Sequence, residues 1–234
     1  MTASDTNAAA NPPATLKVII TGATGMVGEG VMLECVKNPA VSDILLVSRR
    51  AYGASPHKVR ELIVPGFMNI DQAVGQLSGY DACFFCAGVS SVGKTEAEYT
   101  HITFDLTLHF ARTLAQVNPR MVFVYVSGAM TDSSEKGRVM WARVKGKTEN
   151  ALAQAGFRAE YNFRPGFMKP MPGQKHLPSW FAWIGWLYPI LRIVAPHQAS
   201  TLSDVGKAMI HCAQSGYPKP ILEVRDINRL GRRS

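Results

Sequence analysis

Apolar runs alternate with stretches of helical period along most of the chain, which is the pattern of a βαβ protein. Leu16–Thr21 reads as a buried first strand. Gly25–Lys37 reads as a helix, with Val27, Val31 and Cys35 at four-residue spacing and Pro39 as its stop. Asp43–Ser48, Leu62–Val64, Asp81–Gly88, Arg120–Ser127 and Ala159–Arg164 read as the next five strands. Thr95–Val117 and Arg138–Gln154 read as helices, the second closed by Gly156. Thr201–Asp204 has the form of a capping box and opens a helix to about Ser215, with a further short strand at Ile221–Val224. Near-continuous apolar strands separated by helices imply an α/β, Rossmann-like, doubly wound parallel sheet covered on both faces. A small C-terminal substrate-side segment is expected within residues 165–234.

Composition narrows this only slightly. At 234 residues, 47% hydrophobic and 18% charged, the chain fits one domain over 15–234. Residues 1–14 offer no face to bury and read as a disordered tail without the basic start or apolar core of a secretory signal. No run of about 20 apolar residues suggests a transmembrane helix. Four cysteines make no disulfide scaffold, so a reducing, cytoplasmic setting is the expectation. The net charge is +8, with a pI near 9.5, but the basic residues are scattered rather than run together. That suits anionic small molecules better than nucleic acid.

The sharpest local signal is Thr21–Gly28, TGATGMVG, between a predicted strand and a predicted helix. Gly22 permits the turn, Gly25 the approach of a pyrophosphate, and Gly28 close helix–strand packing. Thr24, Met26 and Val27 complete the loop, whose amides and helix dipole favour a diphosphate. An NAD-binding chain usually carries an acid about 20 residues on; here the second strand ends Ser48-Arg49-Arg50. Arginine pairs with a 2′-phosphate that a carboxylate would repel, so NADP(H) is expected over NAD(H).

TGATGMVG, DACFFCAG, YVSGAM, a helix bearing Lys145 and FRPGFM occur in that order. Together they resemble the short-chain dehydrogenase/reductase superfamily, in its extended and atypical, epimerase-like branches. Within these they are most similar to the NAD(P)H-binding group related to NmrA-like and Tat-interacting proteins. The resemblance implies that Ala87 and Gly88 lie against the adenine–ribose side of the cofactor, and that Pro165 and Gly166 border the nicotinamide. It implies catalytic roles for Ser127, holding a substrate carbonyl, and for Lys145, holding the nicotinamide ribose. It also implies pairing of copies into a homodimer through the fourth and fifth helices.

The family's Tyr-x-x-x-Lys is here Trp141-Ala-Arg-Val-Lys145. The two positions share a helix face, but an indole N–H is no usable acid at neutral pH. Trp141 is therefore expected to wall a substrate pocket. Tyr125, Tyr161, Tyr188, His176 and Tyr99 are candidate replacement donors. Three functions follow: an NADP(H)-dependent oxidoreductase acting on a small apolar carbonyl, an NADPH-binding regulatory protein without turnover, and a redox-neutral epimerase or isomerase.

Cys83-Phe-Phe-Cys86 spells a redox motif, but strand residues three apart face opposite ways. The histidines show no metal-ligand spacing, so no metal is expected. Trp180, Trp183 and Trp186 lie in an aromatic-rich stretch, 179–196. Its lack of a lysine-rich face favours a substrate-side lid or dimer contact over a membrane-surface helix.

Overall fold

The computed structural model describes residues 15–54, 56–177 and 198–232. The expected tail at 1–14, the aromatic-rich stretch at 179–196 and Tyr188 lie outside the described residues. Seven strands form one parallel sheet: β1 (Leu16–Thr21), β2 (Val41–Ser48), β3 (Val59–Ile63), β4 (Ala82–Phe85), β5 (Val122–Val126), β6 (Ala159–Arg164) and β9 (Ile221–Glu223). Their order is β3-β2-β1-β4-β5-β6-β9, which reverses direction between β1 and β4. In such sheets ligands bind beyond the carboxyl ends of the strands at that switch point.

Strand alternation divides the core cleanly. Val18, Ile20, Ala82, Phe84 and Phe163 face one layer; Ile19, Cys83, Phe85, Phe123 and Tyr125 face the other. The first layer is covered by α1 (Met26–Lys37), α6 (Leu202–Ser215) and α7 (Val224–Gly231). The second is covered by a 3₁₀ turn at Phe67–Ala73, α2 (Val74–Leu77), α4 (Leu106–Val117) and α5 (Met140–Leu152). The rings of Phe67, Phe85 and Phe110 pack at 4.9 to 5.7 Å in that layer. Each fully buried phenylalanine contributes roughly 2 kcal/mol of apolar burial, so Phe85→Ala would open the middle of the layer.

Several elements depart from the expected ones. The long helix after β4 is α3 (Glu96–Thr100), a π turn at His101–Asp105, and α4. The Thr95 side chain and Glu98 form a reciprocal cap at its start. β3 begins three residues earlier than expected. The tripeptides β7 (Phe167–Lys169) and β8 (Ala199–Thr201) make a separate parallel pair. The helix opened by Thr201 is present, with its side chain accepting from the Asp204 amide. α7 follows β9 where only basic residues stood out. Cys83 and Cys86 lie in opposite layers, as strand alternation requires. All four cysteines are free thiols.

Candidate active site

The turn after β1 is fixed by two close approaches. Gly22 has φ +74°, and a Cβ there would stand 2.8 Å from the Cys86 and Ala87 backbone. A Cβ on Gly28 would stand 2.3 Å from the Gly22 carbonyl oxygen. The Ala87 amide donates to Thr21 Oγ1 at 3.1 Å, tying the ends of β1 and β4 together. Gly25 differs: a Cβ there would meet only the Gly22 oxygen, at 3.4 Å. The protein therefore leaves open space beside Gly25, at the head of a helix that no side chain caps. Thr24, Gly25 and Gly88 are exposed around it, with Met26 and Val27 half-buried. That open cradle of uncapped amides fits a diphosphate.

β2 delivers Arg49 and Arg50 to the same edge of the sheet. Both are exposed, and among the described residues neither guanidinium has a hydrogen-bond or ion-pair partner. Ser48 Oγ donates to the Arg50 carbonyl at 2.6 Å and shapes the bend.

β5 and α5 bring the catalytic candidates together. Lys145 Nζ donates to the backbone carbonyl of Ser127, at the carboxyl end of β5. Burial pushes its ammonium down to about 8, with Glu149 pulling the other way. The Ser127 hydroxyl lies 2.5 Å from Glu149 Oε1 and 3.2 Å from the Phe163 carbonyl oxygen. The buried Glu149 also takes Arg164 Nε at 3.0 Å, and Arg164 Nη2 reaches Ser133 Oγ at 2.5 Å. Ser127 is thus built into a buried ionic network rather than standing free. Sequence reasoning missed Glu149 and Arg164.

Trp141, one turn before Lys145, lines a cavity of about 110 Å³ with Met130, Asp132, Val139 and Ala142. The replacement donors among the described residues are otherwise engaged. Tyr125 and Tyr99 are buried, and burial raises both phenols. Tyr161 accepts from the Tyr217 amide at 2.9 Å. His176 Nδ1 lies 3.2 Å from Glu29 Oε1. Gly166 owes its missing side chain to the chain itself, because a Cβ would stand 2.3 Å from the Gln198 carbonyl oxygen. The neighbouring Pro165 is buried, and its carbonyl accepts from the Ala129 amide at 3.0 Å.

Residues 18–139 match the family described as NAD dependent epimerase/dehydratase. The chain belongs to that family. Its fold is shared with L-sorbose reductase from Gluconobacter frateurii, solved with NADPH and L-sorbose, at TM-score 0.65 and 13% identity. That likeness covers 90% of this chain and 94% of the other. It is shared also with WbmF from Bordetella bronchiseptica, solved with NAD+, at TM-score 0.63 and 15% identity, over 92% and 77% of the two chains. The fold and the atypical short-chain dehydrogenase/reductase resemblance therefore stand. Nicotinamide dinucleotides are what the family binds; these neighbours hold either kind.

Among curated relatives, protein fmp52, mitochondrial, of Emericella nidulans is 27% identical over 158 residues, 64% of this chain and 66% of that protein. Leucinostatins biosynthesis cluster protein T of Purpureocillium lilacinum is 29% identical over 59% of this chain and 52% of its own length. The chain thus spans less than two thirds of both. FMP52 of Candida albicans is 24% identical over 86% and 89%. The expected cytoplasmic location does not stand: several relatives are named as mitochondrial proteins, which points away from the cytoplasm. Free cysteines do not single out the cytoplasm, because a reducing interior is not unique to one compartment. Among the described residues no helix is long and apolar enough to cross a membrane.

Proposed function

We propose that the chain is an NADP(H)-dependent oxidoreductase acting on a small, apolar carbonyl compound or the matching alcohol. The observation that carries the cofactor choice is the pair Arg49 and Arg50, unpartnered beside an open diphosphate cradle with no carboxylate at the end of β2. Bound there, the dinucleotide would supply or accept a hydride at the substrate carbon. Lys145 would stand at the reacting oxygen and give up or take the proton, since its lowered pKa suits that exchange near neutrality. Trp141 would wall the pocket and exclude water.

The apolar substrate class has its own support. The large hydrophobic side chains most exposed among the described residues include Val92, at 85%, and Met130, at 78%. Val89, Val139 and Leu177 are also exposed. Val89 and Val92 follow β4, and Met130 and Val139 follow β5, beyond the carboxyl ends of two strands of the main sheet. Exposed apolar side chains beyond these strand ends would suit an apolar ligand.

Calorimetric titration with NADPH, NADP+, NADH and NAD+ tests the cofactor. Loss of the near-ultraviolet absorbance of NADPH across a carbonyl panel tests the reaction. A second reading, NADPH binding without turnover, is favoured by Trp141 and by the engagement of Ser127 with Glu149. Tight binding with no turnover on any carbonyl, epimerisable sugar or alcohol would establish it.

A further inference from the structure

Glu29 is a fully buried carboxylate in the first turn of α1, four residues past Gly25. Helix packing alone does not require it, and two other segments converge on it. The Lys175 and His176 amides donate to its two oxygens at 2.9 and 2.7 Å. The Tyr52 hydroxyl donates at 2.9 Å from the turn that follows Arg49 and Arg50. The His176 ring lies 3.2 Å from the carboxylate and 5.4 Å, centroid to centroid, from the Tyr52 ring. Beside this hub, Gln174 Nε2 donates to the Met26 carbonyl at 2.7 Å, and Gln174 Oε1 accepts from the Met171 amide at 2.6 Å. Burial raises the Glu29 carboxyl, but these bonds outweigh it and hold the group below the ordinary carboxylate range.

We infer that Glu29 is a positioning residue that fastens the strap Met171–Leu177 and the Arg49–Tyr52 turn to the diphosphate-binding helix, so that dinucleotide binding and strap closure are coupled. This rests on the cofactor reading above. Three segments that would contact different parts of one extended ligand share a single ionic anchor. Ordering the ribose-side turn orders Tyr52, Tyr52 orders the carboxylate, and the carboxylate holds two strap amides. Binding energy at one end of the dinucleotide thereby reaches the substrate side.

Trypsin reads the strap directly, because the Lys175 side chain is exposed while the next amide is held by Glu29. Cleavage after Lys175, identified by mass, follows the population of the opened strap. In the wild type, NADPH should slow it. Glu29→Gln presents an amide N–H toward two backbone amides that can only donate. It should raise apo cleavage about tenfold, weaken NADPH about tenfold, and abolish the protection by NADPH. Tyr52→Phe removes only the ribose-side link and leaves the strap amides bonded. It should raise apo cleavage less than Glu29→Gln does and weaken NADPH about threefold. Equal apo cleavage of wild type and folded Glu29→Gln overturns the fastening. Undiminished NADPH affinity and protection in Tyr52→Phe overturns the coupling, and does so even if Glu29→Gln fails to fold. A wild type that binds no dinucleotide, yet is cut more slowly than Glu29→Gln, overturns the cofactor reading and the coupling while the fastening stands.

Discussion

The Ser127 hydroxyl lies 2.5 Å from Glu149 Oε1, and Glu149 stands one helical turn past Lys145 on the same face of α5. One buried carboxylate therefore serves the serine, biases the lysine and holds Arg164. Removing different members should have different consequences. Ser127→Ala leaves Glu149 paired with Arg164 and should lower stability by about 1–2 kcal/mol. Arg164→Met leaves a buried charge without its counterion and should cost about 3–5 kcal/mol. Urea unfolding checks both, and equal losses would contradict this order.

Arg49 and Arg50 should act on one cofactor only. Arg49→Ala together with Arg50→Ala is expected to weaken NADPH about tenfold to a hundredfold and leave NADH within about twofold, since only the former offers a 2′-phosphate. The ratio of kcat/KM for the two reduced cofactors, or calorimetry, reads the change. Equal losses for both would show that the arginines act through the fold.

Carbonyl reduction should decline as pH rises through about 8, because Lys145 loses its donated proton there. Alcohol oxidation should rise over the same interval. Lys145→Arg, which does not titrate in this range, should remove the inflection and most of the turnover. The linkage has the matching sign. The folded value lies below the ordinary value of 10.5, so between about 8 and 10.5 the unfolded chain holds more protons. This group's penalty is complete below 8 and is relieved as pH rises to 10.5. Thermal unfolding of Lys145→Met, compared with wild type across that interval, checks it.

Trp141→Tyr should gain function. It places a phenol one turn before Lys145 and removes bulk from the cavity of about 110 Å³. Turnover on small carbonyls is expected to rise, and the decline above pH 8 to soften. An unchanged rate and pH profile would place the reacting oxygen away from this side chain.

Acid should loosen the Glu29 hub. Its folded value lies below the ordinary 4.5, so its stabilisation is complete above that value and disappears as pH falls through the folded one. The difference in unfolding free energy between wild type and Glu29→Gln should shrink over that acid range. A constant difference would mean that the carboxylate binds its proton equally well folded and unfolded.

The sheet was legible because each strand is a compact apolar run whose neighbours in sequence are helices. The glycine turn after β1 was legible because its glycines are close together along the chain. The β7–β8 pair was not: two tripeptides separated by about thirty residues carry too little pattern to announce their pairing. Glu29 and Glu149 were hidden for a related reason. Their partners lie up to 147 residues away, so nothing near them in sequence showed the bonds that bury them. A signal existed for Glu29. It interrupts a helix with almost no polar face, and a carboxylate in that setting must find donors. For Ser127 the family motif carries the residue type but not the Glu149 that engages its hydroxyl.

Burial pushes all four thiols up, Cys86 and Cys212 to about 12, and Cys35 and Cys83 well above the ordinary thiol range. Such groups supply almost no thiolate near neutrality, so oxidants and alkylating agents find little to attack while the chain is folded. Their modification would then measure how often the interior opens, making each sulfur an internal clock of unfolding. Cys83 times one layer of the sandwich, Cys35 and Cys212 the other.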